Sequence, residues 1–278
     1  MFEYFKKAKI LEIRALERLA AAGQLPPPYP GPRLDFVDRL RRRAKDQGLA
    51  VIAEYKRASP SRGVLNLGLR PDQAAQAFGQ GGAAAMSVLT EKSRFKGRRD
   101  FITRAWDGGA ERFDLPILRK DFLFDPLQVR ATAALPAAAL LLIVKLTPRA
   151  IQLRELRLLA ESLGLQAVVE VLDEADLDLA RDSGARIIQV NARDFQDLSV
   201  DLSRSSDLIR RHRPEAGELW IAASGFSRPE ELSAAAEAGF TAALVGTSLM
   251  EDGQPAEALK RLTKALRKIG GAACPVTA

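Results

Sequence analysis

The feature that most constrains the fold of this chain is a regular alternation between short apolar runs and longer segments of helical periodicity, which begins at Ala50. The apolar runs are rich in Val, Ile, Leu and Ala and lie at 50–55, 84–89, 116–118, 138–143, 167–171, 187–190, 220–223 and 242–245. Runs this apolar are typical of parallel strands that are buried on both faces and joined by crossover helices. Because the strand–helix units fill about 200 residues, the pattern predicts an α/β fold, a closed (β/α)8 or TIM barrel, in preference to an open doubly wound sheet.

The segment before the first strand predicts an N-terminal helical extension. Two segments of helical character, 3–22 and 35–45, flank a proline-rich connector. We therefore divide the chain into an extension at 1–48, a catalytic barrel domain at 49–268 and a flexible tail at 269–278. We expect the extension to cover one end of the barrel, whereas the tail has little that could pack against a core.

Composition and patterning exclude several classes of protein. With 47% hydrophobic and 28% charged residues, the chain is neither disordered, collagen-like nor a coiled coil. The single cysteine, Cys274, cannot form an internal disulfide, as is usual in a reducing cytoplasm. The longest apolar stretch, 131–144, is shorter than the roughly 18 residues of a membrane span, and the first residues do not have the order of a secretory signal. We therefore expect a cytoplasmic protein with no membrane partner.

The charge of the chain indicates anionic partners without selecting one. The formal net charge is +7 and the pI is near 9.7. Basic clusters at 39–43, 210–213 and 260–268 lie along amphipathic segments, and they lack the interleaved aromatic residues that stack on nucleic-acid bases. We therefore expect no nucleic acid and favour a small phosphorylated substrate, which needs only a few of these charges.

Charged side chains follow several predicted strands, at the end of the barrel where such enzymes place their chemistry. Glu54 and Lys56 lie two residues apart on one side of the first strand, and Glu170 lies in an otherwise apolar run. Lys120 and Lys145 follow the third and fourth strands. Carboxylate and ammonium groups in a partly dry barrel mouth can have pKa values moved toward neutrality, as acid/base catalysis requires. Each group alone also fits a structural ion pair, so the catalytic interpretation depends on their joint placement.

Glycines after the last two strands indicate a phosphate site. Ser224 and Gly225 follow the seventh strand, and Gly246 and Thr247 follow the eighth. Barrels of this kind commonly bind phosphate there with backbone N–H groups, and glycine permits a close backbone approach. The alternative is that both segments are only tight turns.

Other chemistries find less support. One histidine, His212, and one cysteine cannot form a His/Cys metal cluster, so no metal site is predicted. The phosphate-loop and nucleophile-elbow motifs are absent from the sequence. A Schiff base on Lys56, Lys120 or Lys145 remains an alternative, because burial or cationic neighbours can activate a lysine.

A set of motifs gives the chain a family resemblance. The segments are Val51-Ile-Ala-Glu-Tyr-Lys-Arg-Ala-Ser-Pro-Ser61, Leu89-Thr-Glu91, Leu118-Arg-Lys-Asp-Phe122, Val169-Glu-Val171, Asn191-Ala-Arg-Asp194, Ala223-Ser-Gly225 and Leu244-Val-Gly-Thr-Ser248. In this order and spacing they resemble the indole-3-glycerol-phosphate synthase family of tryptophan biosynthesis. The resemblance implies a carboxy-lyase that closes and decarboxylates 1-(2-carboxyphenylamino)-1-deoxyribulose 5-phosphate to indole-3-glycerol phosphate, with no cofactor. Its partner would be this small phosphorylated aromatic substrate, and the chain would be a monomer or a weak homo-oligomer.

The resemblance also implies a role for each matched residue. Lys120 matches the general acid that protonates the substrate carbonyl oxygen, and Glu170 matches the acid/base group of the dehydration. Lys56 matches a lysine on the phosphate side of the substrate, Glu54 a carboxylate that orients the lysines, and Asn191 a residue that holds the site together. The matched apolar walls and the matched substrate or phosphate contacts are Ser59, Phe95, Phe122, Arg193, Ser224, Gly225, Gly246 and Thr247.

Three positions depart from the family pattern. Ala223 stands where the family usually has a glutamate, Gln189 replaces a usual glycine, and Lys145 lies where the family is generally uncharged. If Lys145 enters the mouth, the added charge depresses lysine pKa values and favours anionic ligands; the alternative is that it points outward. The missing glutamate leaves two further hypotheses, a divergent paralogue with an altered substrate and a catalytically weakened barrel that binds a phosphorylated aromatic ligand.

Overall fold

The computed structural model, which describes residues 2–194 and 198–266, contains a closed barrel of parallel strands. In chain order the strands are Ala50–Tyr55 (β1), Ala85–Leu89 (β2), Ile117–Lys120 (β3), Ala139–Ile143 (β4), Gln166–Val171 (β5), Ile187–Asn191 (β6), Leu219–Ala223 (β7) and Ala242–Val245 (β8). Each strand pairs with the next, and β8 closes on β1. The predicted (β/α)8 barrel is confirmed. Two observed strands end later than predicted, because β3 ends at Lys120 and β6 ends at Asn191. Both of these residues were predicted to belong to the site.

Helices connect the strands on the outside of the barrel. They are Phe2–Ala21 (α1), Phe36–Gln47 (α2), Pro71–Gly81 (α3), Asp100–Ala105 (α4), Pro126–Ala133 (α5), Ala150–Ser162 (α6), Glu174–Asp182 (α7), Leu202–His212 (α8), Pro229–Ala238 (α9), Thr247–Glu251 (α10) and Pro255–Thr263 (α11). A short hairpin of Ala58–Ser59 and Gly63–Val64 follows β1, a π-helical turn extends α4, and a 3₁₀ turn follows β4. Each strand-to-strand connection therefore contains a helix, as a parallel sheet requires.

The strands separate an inner from an outer apolar layer, because consecutive side chains point to opposite faces. On β1, Val51 and Ala53 belong to the cluster that includes the helix residue Phe78. Ile52 belongs to the second cluster, which receives alternate residues from every strand and fills the barrel. The same alternation points Glu54, two residues beyond Ile52, into the barrel at its C-terminal end.

Helix α2 covers the N-terminal end of the barrel. Its Phe36 and Leu40 are fully buried and pack with the interior cluster. The carboxylate of Asp35 caps the helix by accepting from the Asp38 amide at 2.9 Å. The amide of Phe36 donates to the side-chain oxygen of Gln166, the first residue of β5, at 2.7 Å. These bonds fix α2 against the strand starts.

Helix α1 instead packs at the C-terminal end of β3. Phe5 is buried and stacks on Phe122, and Lys9 pairs with Asp121 at 2.7 Å. The expectation that the extension covers one end was therefore incomplete, since its two helices contact opposite ends of the barrel. The amphipathic pattern predicted both helices, but the partner of each depends on the fold.

Two further expectations concern the chain as a whole. The predicted tail, 269–278, lies outside the described residues. Within 2–194 and 198–266, we find no helix with the length and apolar character needed to cross a bilayer.

Candidate active site

A cavity of about 610 Å³ opens at the C-terminal ends of the strands. Most residues predicted for the site line it: Glu54, Lys56, Lys120, Asn191, Ser59, Phe95, Arg193, Ser224, Gly225, Gly246 and Thr247. Glu170 is buried just behind these residues, where it interacts electrostatically with Lys120 and Glu54. The fold therefore brings together at one rim residues that are up to about 190 positions apart in the sequence, as (β/α)8 barrels do.

Glu54 is the electrostatic centre of the cavity. Its carboxylate lies 2.9 Å from the ammonium nitrogen of Lys56 and 3.1 Å from that of Lys120, and the residue is only 2% exposed. Burial alone raises the pKa of Glu54, but the two lysines outweigh it and bring the pKa to about 2. Glu54 is therefore ionised at neutral pH and holds both ammonium groups in the mouth.

Lys120 is charged for the complementary reason. Burial lowers the pKa of its ammonium group, but the carboxylates of Glu54 and Glu170 outweigh burial and raise the pKa above its usual value. The expected movement toward neutrality is thus wrong for Lys120 and Glu54. Lys120 enters any reaction as a proton-bearing cation.

Glu170 shows the opposite balance. Burial is the largest influence and raises the pKa of its carboxyl group, against the lowering effect of Lys120 and of hydrogen bonds from Asn191 and Gln189. The amide nitrogen of Gln189 lies 2.5 Å from one carboxylate oxygen of Glu170. Glu170 is consequently the carboxyl group in the mouth whose pKa does move toward neutrality, as a group that exchanges protons requires.

Asn191 connects β6 to the loop after β7. Its side-chain oxygen accepts from the Ser224 hydroxyl at 2.8 Å and from the Arg193 amide at 3.0 Å. Ser224 has a φ of 74°, in the left-handed region that non-glycine residues rarely adopt. The hydrogen bond to Asn191 helps hold this strained backbone, and such strain is common at functional sites.

Glycine is required beside the paired lysines for steric reasons. A Cβ atom on Gly246 would lie 2.5 Å from a carboxylate oxygen of Glu54 and 3.1 Å from the Lys56 nitrogen. Gly225 has a φ of 91°, and a Cβ there would lie 2.6 Å from Val200. The backbone at both positions therefore borders the cavity without side chains, and Gly246 lies next to the ammonium group of Lys56.

Aromatic rings form the wall beside β2 and β3. Phe5 and Phe122 are stacked, with centroids 3.7 Å apart, and Phe95 lies 6.2 Å from Phe5 and 6.3 Å from Phe122. Phe95 lines the cavity, whereas Phe122 is covered by Phe5. Glu91 holds the loop of Phe95, because its carboxylate accepts from the amides of Ser93, Arg94 and Phe95.

The three positions that depart from the family pattern have different surroundings in the structure. Lys145 pairs with Asp173 at 2.9 Å and Asp176 at 2.8 Å, outside the cavity, so the hypothesis that it enters the mouth is wrong. Ala223 is buried and lies in register with Asn191, where its methyl group offers no charge. Gln189 contacts Glu170 directly.

Sequence reasoning missed several contributors to the site, of which Arg62 and Phe5 bear most on its chemistry and shape. Arg62 lines the cavity from the hairpin after β1, and Phe5, from the extension, supports the aromatic wall by stacking on Phe122. The basic character of the 57–62 segment was a signal for the first. For Phe5 the sequence offered only the amphipathic pattern of its helix. Which residue of α1 contacts the barrel depends on how that helix docks.

Comparison with known proteins identifies the family. A family model for indole-3-glycerol phosphate synthase matches residues 5–262. The chain belongs to the indole-3-glycerol phosphate synthase family. A synthase of Chloroherpeton thalassium is 42% identical over 222 residues, which cover 80% of this chain and 82% of that protein. Indole-3-glycerol phosphate synthase 2 of Streptomyces coelicolor is 40% identical over 249 residues, 90% of this chain and 92% of that protein.

Solved structures outside the family share the fold alone. Thiamine phosphate pyrophosphorylase from Pyrococcus furiosus has a TM-score of 0.59 at 13% identity and covers 81% of this chain and 98% of its own. A 3-hexulose-6-phosphate synthase has a TM-score of 0.59 at 16% identity and covers 78% of this chain and 99% of its own. Similarity this low in sequence supports the architecture and says nothing of the reaction.

Proposed function

We propose that this chain acts as an indole-3-glycerol-phosphate synthase, a carboxy-lyase of tryptophan biosynthesis. It converts 1-(2-carboxyphenylamino)-1-deoxyribulose 5-phosphate to indole-3-glycerol phosphate and releases carbon dioxide and water. The observation that carries the proposal is the carboxylate of Glu54, which pairs with both Lys56 and Lys120 in a mouth shared with Glu170. Membership of the family supports the same reaction.

Ring closure is the first task of the site. The aryl carbon attacks the ketone carbon, and negative charge develops on the carbonyl oxygen. The raised pKa of Lys120 keeps it an ammonium ion that can stabilise this oxygen and give it a proton. Glu54 orients the Lys120 ammonium group and keeps it charged.

Dehydration is the second task. After carbon dioxide leaves, the new ring must lose the hydroxyl group that came from the ketone. The pKa of Glu170 is raised by burial, so its carboxyl group can hold a proton and give it to this departing hydroxyl. Water then leaves, and the resulting Glu170 carboxylate takes the proton of the neighbouring C–H bond, whose electron pair forms the ring double bond.

The distribution of aromatic and charged groups around the cavity determines the proposed orientation of the substrate. The aryl ring lies toward Phe95 and its aromatic neighbours, and Arg193 meets the substrate carboxylate. The phosphate lies at the opposite side, against the backbone of Gly225 and Gly246, with Lys56 supplying a cation. Ser59, Ser224 and Thr247 also line the cavity and supply hydroxyl groups.

A second candidate is favoured by Ala223. The family resemblance predicts a glutamate there, and an alanine in register with Asn191 supplies no carboxylate. The candidate is a divergent paralogue with an altered substrate, or a barrel that binds a phosphorylated aromatic ligand and catalyses weakly. Loss of a group that orients a catalytic acid can slow a reaction by about 10²-fold.

Turnover of the carboxyphenylamino-deoxyribulose phosphate, followed by indole fluorescence, distinguishes the two candidates. The leading proposal predicts indole formation that is lost in Lys120→Ala. Calorimetric binding without turnover in the wild type, together with turnover gained in Ala223→Glu, would support the weakened barrel. Equal activity in the wild type and in Ala223→Glu would contradict it.

Location and assembly follow from the same proposal. Every residue invoked comes from one chain, so a monomer or a weak homo-oligomer suffices. A biosynthetic reaction on a phosphorylated metabolite fits a cytoplasmic location. Light scattering across a dilution series measures the assembly state.

A further inference from the structure

The interior of the barrel contains a polar side chain that the proposed reaction has not used. Gln189 lies on β6, fully buried, in register with Glu170 on one side and with Ile221 on the other. Its amide nitrogen donates to Glu170 at 2.5 Å. Its amide oxygen is buried and has no hydrogen-bond partner among the described residues. A buried amide that uses only its donor is unusual, because unsatisfied buried acceptors are unfavourable.

On the side away from Glu170, the interior next to Gln189 is apolar. Ile187 and Ile221 are buried and belong to the same interior cluster. An aliphatic side chain of the same volume would fill this layer without any unsatisfied atom, so packing does not explain the amide. Among the residues that the structure describes, the one side-chain hydrogen bond of Gln189 is with Glu170, which indicates where its role lies.

Glu170 must change its protonation state if it acts as an acid/base group. The groups that face it are Lys120 from β3, Glu54 from β1, and Asn191 and Gln189 from β6. An ammonium group can only donate a hydrogen bond and an ionised carboxylate can only accept one. A primary amide does both, because it carries a donor and an acceptor on the same carbon.

We propose that Gln189 is a positioning residue that keeps Glu170 hydrogen-bonded in both of its protonation states. The amide nitrogen donates to the carboxylate, as in the structure, and rotation of the amide brings the unpartnered oxygen to the hydroxyl of the carboxylic acid. No covalent bond changes at Gln189, and the proton passes only between Glu170 and the substrate. The inference rests on the proposed function for this proton transfer.

The test compares the wild type with Gln189→Met, which keeps the volume and removes both hydrogen-bonding groups. The first measurement needs no substrate: infrared difference spectra against Glu170→Gln report the protonation of Glu170 as a function of pH. Gln189→Met removes the hydrogen bonds to both forms, but the bond to the ionised carboxylate is the stronger of the two, so the titration midpoint should move up by about one pH unit. Gln189→Leu provides a second variant if Gln189→Met folds poorly.

Ser87→Ala is the matched control. Ser87 is another fully buried interior residue whose hydroxyl lacks a partner among the described residues, and it lies in register with Glu54 on the opposite strand pair. This variant should leave the Glu170 midpoint unchanged. The second measurement is the pH dependence of kcat, whose alkaline limb should move upward in Gln189→Met with a roughly tenfold loss at the optimum.

The outcomes separate this inference from the proposed function. An unchanged Glu170 midpoint in both Gln189→Met and Gln189→Leu, or an equal shift in Ser87→Ala, would overturn the role of Gln189. Absence of turnover in the wild type as well as in the variants would overturn the proposed reaction, while the infrared titration would still decide whether Gln189 controls Glu170.

Discussion

Two clusters of buried charge lie side by side in this barrel, and consecutive residues of β3 serve both. Lys120 points into the mouth, whereas Arg119 and Asp121 point outward beneath α1. In the outer cluster, Asp121 accepts from Lys9 at 2.7 Å, from Arg119 at 3.0 Å and from Thr90 at 2.6 Å. Every charge there is matched by a partner at close range.

The inner cluster is less completely matched. Glu54 is shared by two lysines, and burial raises the pKa of Glu170. In the outer cluster burial also raises the pKa of Asp121, but Lys9 and Arg119 outweigh it and bring the pKa to about 2. Burial alone therefore does not make a charged group functional. A fully paired network holds helices together, whereas incomplete pairing leaves a group that can exchange a proton.

The largest expected effect is the loss of activity on replacement of Lys120, in the inner cluster. Replacement by methionine keeps the length of the side chain and removes the ammonium group that faces the substrate. We expect kcat/KM to fall by at least about 10³-fold, which corresponds to about 4 kcal/mol. Lys92→Met, on an exposed position, serves as the control and should retain full activity. A similar loss in both variants would show that the effect is not specific to the mouth.

The next effect concerns the outer cluster. Asp121→Asn removes the fully buried carboxylate that pairs with Lys9 and Arg119, and leaves these buried cations only the partly exposed carboxylate of Glu12. We expect the free energy of unfolding in urea to fall by about 3 kcal/mol. Asp107→Asn, at an exposed position, should change it by less than about 0.5 kcal/mol. If Asp121→Asn were as stable as the control, the outer cluster would have no structural role.

Acid provides a smaller and independent test of the same carboxylate. Because the pKa of Asp121 is about 2 in the fold against 3.8 in the unfolded chain, its contribution is complete above pH 4 and is lost as the pH falls toward 2. The stability difference between the wild type and Asp121→Asn should narrow by about 2 kcal/mol across that window. Urea titrations at several pH values measure it, and a constant difference would contradict the assigned pKa.

The smallest expected effect is a rise in the free energy of unfolding, on replacement of Glu170. The raised pKa of Glu170 means that its ionised form opposes folding at neutral pH. Glu170→Gln should therefore raise the free energy of unfolding at pH 7 by about 1 kcal/mol while it removes turnover. The gain should disappear below the ordinary carboxyl pKa of 4.5, where Glu170 is protonated in both states. Destabilisation at pH 7 would place Glu170 with the paired, structural carboxylates.

The sequence was sufficient for the architecture and for most of the rim. Eight apolar runs separated by helical segments predict a barrel, and a barrel brings the strand ends together whatever the intervening sequence. The alternation of side chains also predicts that Glu54 and Lys56 share a face. These conclusions need only the period of a strand and the rule that parallel strands end at one edge.

The sequence was insufficient where a contact depends on register or docking. The bond between Gln189 and Glu170 requires the offset between β5 and β6, which neither strand specifies alone. The outward position of Lys145 depends on Asp173 and Asp176, which lie at the start of a different helix. The stacking of Phe5 on Phe122 requires the docking of α1. Glu54, Lys56 and Lys120 were placed correctly at the mouth, but the direction of the Lys120 pKa shift depends on distances to its partners.

The most direct test of the account is the stoichiometry of product formation from the carboxyphenylamino-deoxyribulose phosphate. Indole fluorescence and released carbon dioxide should be recorded together for the wild type and for Lys120→Met. The account predicts equal amounts of indole-3-glycerol phosphate and carbon dioxide from the wild type, and neither product at a comparable rate from the variant. Wild-type and Lys120→Met enzymes that form the indole equally fast would contradict it, as would a wild type and an Ala223→Glu variant that both form none.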